Sequence, residues 1–163
     1  MNTSHTSKTP YKQLTKISAP DFSILAKILT YTGVCFYLFS LPLVSLFTSS
    51  EDIHGIWILL IGWLGIVILQ LSWFANPLNL LALLLVTRRP LLALLLSFIA
   101  FLFASQAFEF SEIPAGLNHE KVFIKEMGLG FYLWYVSHGL FFIAIFIRNF
   151  GAVTKKRGLA SFQ

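Results

Sequence analysis

The chain has 163 residues, of which 56% are hydrophobic, 16% aromatic and only 12% charged, about half the charged share of a soluble domain of this size. That deficit excludes a water-soluble enzyme, a disordered tail and a secreted disulfide scaffold, and a single cysteine, Cys35, excludes an intrachain disulfide. The formal net charge is +5, but the cations sit beside apolar runs and in the terminal segments, where anionic lipid explains them better than nucleic acid does.

Residues 1–23 are polar, carry Lys8, Lys12 and Lys16, and lack the short apolar core and cleavage site of a signal peptide, so they read as a flexible cytoplasmic arm. The transmembrane domain is expected over 24–148. Its first apolar run, Ile28 to Phe47, is 20 residues, which as a helix measures about 30 Å, the thickness of a bilayer core. The second run, Ile56 to Phe74, contains Gln70 and leads into Ala75-Asn76-Pro77, where proline predicts a break or kink. Leu78 to Thr87 is too short to span comfortably and stops at Arg88-Arg89-Pro90. Leu91 to Phe108 is the next span, Glu109 to Glu126 a polar loop, and Gly128 to Ile147 the last span. A basic cytoplasmic tail, 149–163, closes the chain with Lys155-Lys156-Arg157.

Cytoplasmic loops of membrane proteins carry an excess of Lys and Arg, so the 12 cations arbitrate the topology. If Ile56 to Thr87 crosses once, Lys8, Lys12, Lys16, Lys27, Arg88, Arg89, Arg148, Lys155, Lys156 and Arg157 lie inside, and only Lys121 and Lys125 lie outside. A five-crossing alternative divides them equally. The expected fold class is therefore all-α: a polytopic transmembrane helical bundle of four crossings with both ends cytoplasmic. As one helix, Ile56 to Thr87 would be about 48 Å long, so this second element must bend. The expected break is at Asn76-Pro77, with the Leu-rich piece lying obliquely in the inner leaflet.

Four residues form a candidate intramembrane polar site: Gln70, Asn76, Pro77 and His138. Asn76 and Pro77, flanked by Trp73 and Asn79, read either as a structural turn or as the broken helix of a transporter. His138, mid-span beside Ser137, reads either as a relay or ligand contact or as a packing residue bonded to Gln70, Ser97, Ser105 or Gln106. Gly62 with Gly65, and Gly128 with Gly130, are expected to let helix backbones approach closely, and Trp57, Trp134, Tyr132 and Tyr135 suit aromatic belts. Glu51, Asp52 and His54, and in the second loop Glu109, Glu112, Asn118, His119 and Glu120, gather carboxylates and imidazoles on the outer face without a metal-ligand spacing. Val122-Phe123-Ile124 between Lys121 and Lys125 is expected either to dip into the interface or to form an edge for a partner. No catalytic signature is present, no Asp lies within the spans, and Ser137 and His138, adjacent on a helix, cannot pair. No catalytic residue, cofactor or metal is therefore assigned.

Trp73-Phe74-Ala75-Asn76-Pro77-Leu78 and Gly130-Phe131-Tyr132-Leu133-Trp134, followed by Ser137, resemble a loose set of uncharacterised small bacterial multi-pass proteins with a Trp-x-Ala-Asn-Pro-Leu turn before a Leu-rich hairpin. The resemblance covers about Ile56 to Phe146 and implies a bacterial inner-membrane location without transferring an activity. The function expected is that of a non-enzymatic accessory or interaction protein, whose partners are the bilayer and a second copy or another membrane protein. A small transporter or channel component using the Asn76-Pro77 break and His138 is the alternative, and an immunity-type or regulatory protein acting through 109–126 a third.

Overall fold

In the computed structural model, which describes residues 22–115 and 120–160 and gives side chains for 23–113 and 122–151, the first helix, α1, is Phe22–Ser40. It ends well before Phe47, where the apolar run would have carried it. Pro42 is the reason: proline lacks the helix donor and turns the preceding residue away from helical dihedrals. The rest of that run, Val44–Thr48, is a strand, β1, which pairs with β2 (Ile53–His54). The arm expected over 1–23 lies outside the described residues as far as Asp21.

The all-α expectation is corrected here. Strands β3 (Glu112–Ala115) and β4 (Glu120–Met127) complete a four-stranded antiparallel sheet in the order β2-β1-β4-β3. Val122-Phe123-Ile124 is no free edge, because β4 pairs with β1 through Phe47↔Glu126 and Thr48↔Ile124 and with β3 through Glu112↔Phe123. Its three consecutive apolar residues hide a period of two in which Phe123 is exposed and Val122 and Ile124 are half-buried.

The second element departs furthest from expectation. Helix α2 (Gly55–Ile61) passes into a 3-10 segment, Gly62–Ile68, which Leu69 ends with a left-handed φ of 57°. There the chain doubles back. Ile56 N–H donates to Leu41 O beside the end of α1, while Leu71 N–H donates to Gln106 Oε1, and Gln106 Nε2 to Leu69 O, beside the end of the fourth helix. Trp73 Nε1 then reaches back to Leu59 O at 2.8 Å. Gly62 and Gly65 serve this fold-back and not a helix interface: a Cβ at Gly62 would meet the Trp73 ring at 2.6 Å, and one at Gly65 would meet Gln70 O at 2.9 Å. Asn76 and Pro77 do not break anything. The break precedes them at 69–71, and both lie in the first turn of α3 (Ala75–Leu85).

Helix α3 packs against the other helices of the bundle. It runs antiparallel to α4 (Pro90–Gln106) along a seam of small residues: Ala75 packs with Ala100 and Ala104, and Ala82 with Ala93 and Ile145, all buried. Helices in lipid associate through such small positions because backbones can approach closely there. The last helix, α5 (Leu129–Ala160), lies along α1, where Gly33 admits the Phe141 ring at 2.8 Å from its absent Cβ, and against α4 through a ladder formed by Phe101, Phe108, Phe131, Tyr135 and Phe142. Among the described residues three helical stretches, Ser23–Ser40, Pro90–Glu109 and Leu129–Gly151, are long and apolar enough to cross a membrane. At 11 residues α3 is about 16 Å long, and a 3-10 turn at Ser72–Phe74 precedes it.

This path puts the sheet at one end of the bundle and the Arg88-Arg89 turn at the other, because α1 and α4 run toward the sheet and α3 and α5 away from it. Replacing Gln106 by Leu should speed hydrogen exchange at the Leu71 amide about tenfold, the loss expected when a backbone donor forfeits its partner, whereas Pro77→Ala should leave exchange over 69–71 unchanged. Hydrogen exchange read by mass spectrometry on the purified protein checks both, and a larger effect from Pro77→Ala would return the break to the proline.

Candidate functional site

The first turn of α3 reads Ala75-Asn76-Pro77-Leu78-Asn79. Proline is tolerated there because the N–H it lacks would have found no partner inside the helix. Three residues apart, Asn76 and Asn79 stand on one face of α3, and each ties it to two other helices or segments.

Asn76 Oδ1 accepts from Trp134 Nε1 at 2.9 Å and from the Tyr37 hydroxyl at 3.2 Å, while its Nδ2 donates to Trp73 O at 2.9 Å. One amide thus joins α1, α3 and α5. One turn further on, Asn79 Oδ1 accepts from Ser97 Oγ of α4 at 2.8 Å, and its Nδ2 donates to His138 Nδ1 of α5 at 2.5 Å. With the amide oriented so that Oδ1 faces Ser97 and Nδ2 faces His138, Nδ1 of the ring is the acceptor and the ring proton belongs on Nε2. Asn79, Ser97, Ser137 and His138 are all buried. The His138 ring lies nearly perpendicular to Trp134, at a centroid distance of 4.7 Å, and is further enclosed by Tyr37 and Phe141. Its Nε2 has no hydrogen-bond partner among the described residues, and a perpendicular aromatic shell of this kind offers N–H only the weak attraction of π faces.

The arrangement holds helices together and does not build a nucleophile. Ser97 and His138 both bond to Asn79, so an amide that cannot carry a proton stands between hydroxyl and imidazole, and a serine nucleophile needs its base directly. Ser137 Oγ donates to Trp134 O within its own helix. Among the described residues no three His, Cys, Asp or Glu side chains come together as a metal-ligand set; His119 lies outside those residues.

Above this network, under the sheet, is a cavity of about 660 Å³. Tyr37, Asn76 and Trp134 form its floor, Ser45 and Leu46 of β1 and Phe131 of α5 close one side, and the folded-back segment with Gly62, Gly65 and Gln70 closes the other. Among the described residues, none that lines it is charged. Gln70 and Asn76 therefore share this space, His138 lies outside it beyond Asn76 and Trp134, and Pro77 serves only to start α3.

The partner of His138 is Asn79, a residue that sequence reading noted only as a flank of the turn. Of the four partners expected for it, Ser97 joins the network through Asn79, Ser105 bonds the Tyr135 hydroxyl, Gln106 holds the fold-back, and Gln70 faces the cavity. Trp134 and Tyr135, expected in an aromatic belt, instead spend their polar atoms inside the bundle. A signal for Asn79 did exist: Ala75, Asn79 and Ala82 recur at helical spacing in a Leu-rich stretch, as do Ala93, Ser97, Ala100 and Ala104.

A double-mutant cycle with Asn79→Leu and His138→Phe, read by reversible denaturation in micelles, should return a coupling of about 0.6–1.7 kcal/mol, the range found for hydrogen bonds between helices in membranes. Additive effects would mean that the two side chains do not act as a pair. In comparisons with known proteins, the chain matches no family model, no curated protein and no solved structure.

Proposed function

We propose that the chain is a non-enzymatic, multi-pass protein of the bacterial inner membrane, an accessory component that holds a membrane-derived molecule in the cavity beneath its sheet. Helices α1, α4 and α5 and the broken element from Ile56 to Thr87, of which α3 is the second piece, make four crossings in this reading, with both ends in the cytoplasm. The observation that carries it is the division of labour among the interior polar groups. Those of Asn76, Asn79 and Ser97 are turned on one another or on Tyr37, Trp134 and His138, while a cavity within the 300–1,000 Å³ range of small-molecule sites stays open above them. Charge supports the orientation. Lys27, Arg88, Arg89 and Arg148 belong to the end away from the sheet and Lys121 and Lys125 to β4, an excess that supports a cytoplasmic location for the end away from the sheet.

One observation favours a second reading, a small transporter. The cavity floor at Asn76 is a single turn from Asn79, so separating Asn76 from Trp134 and Tyr37 would open the cavity onto His138. The two readings differ in which side chains meet water or solutes. In a Cys35→Ser background, a thiol reagent should modify Ser72→Cys, which lines the cavity, and leave Ser97→Cys, inside the Asn79 network, unmodified. Modification at both positions would favour the transporter, and protection at both would contradict an accessible cavity.

A further inference from the structure

We infer that the end of the bundle away from the sheet binds the phosphodiester head of an anionic phospholipid, at a site where Arg88 and Arg89, in the turn between α3 and α4, meet Arg148 of α5. The site rests on the membrane location proposed above and is independent of the cavity.

Helix register brings these cations to one level. Ile145 of α5 packs against Ala82 of α3 and Ala93 of α4. Away from the sheet, Arg89 lies four residues from Ala93 and Arg148 three from Ile145, about 6 Å and about 4.5 Å of helical rise. Residues three apart share a helix face, so Arg148 stands on the side of α5 that Ile145 turns toward α3 and α4. Lys27 of α1 reaches the same level. The Phe141 ring meets Gly33, and Lys27 lies about 9 Å and Arg148 about 10.5 Å beyond that contact. Cations from α1, the turn and α5 thus share a layer about one helical turn thick.

All four of these side chains are exposed. Among the described residues no carboxylate shares their layer, since Glu51, Asp52, Glu109, Glu112 and Glu126 lie at or beside the sheet. Charge of a single sign raises the local concentration of anions. Guanidinium groups bond phosphate oxygens in pairs and are more weakly hydrated than an ammonium, which suits a phosphate at the edge of a hydrocarbon layer.

What borders the cations names the source of the phosphate. Leu84 and Leu91, on either side of the Arg88-Arg89 turn, and Phe146 and Phe150, on either side of Arg148, are exposed, Leu91 by 76%. A soluble phosphate leaves these surfaces bare, whereas the acyl chains of a phospholipid cover them while its head meets the arginines. A zwitterionic head carries an ammonium beside its phosphate and gains less from an all-cationic layer.

Native mass spectrometry of the full chain, released from a neutral detergent, reads this binding. The protein is titrated with phosphatidylglycerol and with phosphatidylethanolamine of the same acyl chains. Phosphatidylglycerol should be retained at a concentration about a hundredfold lower, as three cations at about 1 kcal/mol each imply. Each of Arg88→Gln, Arg89→Gln and Arg148→Gln should weaken its retention about fivefold and leave that of phosphatidylethanolamine unchanged, which shows that the variants remain folded. Arg148→Gln combined with Phe150→Arg restores the net charge on another face of α5 and should stay as weak as Arg148→Gln alone. Equal retention of the two lipids would overturn the site, and so would recovery in the charge-restored variant, which would reveal a diffuse attraction. Displacement of phosphatidylglycerol by millimolar glycerol 3-phosphate would overturn it in favour of a soluble phosphate. The cavity is tested separately, by labelling at Ser72→Cys.

Discussion

An asparagine amide in an apolar interior must find a hydrogen-bond partner within the protein for both its oxygen and its nitrogen, because nothing around it will substitute for water. Asn79 meets that demand by accepting a hydrogen bond from Ser97 and donating one to His138, which obliges α4 and α5 to come to α3 at one height. Asn76, a turn away, does the same with α1 and α5 through Tyr37 and Trp134. The alanine seam follows from this requirement: side-chain amide and hydroxyl can meet only if the α3 and α4 backbones are close, and buried Ala75, Ala82, Ala93, Ala100 and Ala104 keep them so.

The short α3 has consequences above it. A helix of about 16 Å that begins at the level of Trp134 leaves the sheet end of the bundle without a fourth helical wall. The chain from Gly55 to Leu71 fills that gap without traversing the bundle, as one α-helical and one 3-10 segment folded back on themselves. Its freed backbone groups are met by Gln106, as the rule that irregular backbone must be satisfied within the protein requires. The sheet covers the remaining space, and the cavity is what lies between cover, fold-back and floor. Polar network and cavity are thus two outcomes of one placement: amides that lock the helices below also form the bottom of the open volume above.

Sequence made the helices visible where composition and length act locally. The cores of α1, α4 and α5 lie in runs of apolar residues, the Arg88-Arg89 turn stands out between two Leu-rich stretches, and Asn76 and His138 are conspicuous for being polar among aromatics and leucines. What stayed hidden depends on distant partners or on a single residue overriding a run. Pro42 cuts the first apolar run and converts its end to strand, and β4 looks like loop because its pairing partners lie far away in sequence at Val44–Thr48 and close by at Glu112–Ala115. The fold-back at 69–71 is stabilised by Gln106, 35 residues beyond Leu71, and no local pattern announces that. Asn79 was readable, since small and polar residues recur through α3 and α4 at helical spacing, but the eye is drawn to the neighbouring proline.

The central claim is that Asn79 donates to His138 Nδ1 and so fixes the imidazole as a structural acceptor. Nitrogen NMR of protein labelled at histidine and asparagine measures this directly. The account predicts that Nδ1 of His138 is unprotonated, that it shows through-bond coupling to an Asn79 amide proton, and that the Nε2 proton exchanges slowly with water. A proton on Nδ1, or a ring in rapid exchange with solvent, would contradict it.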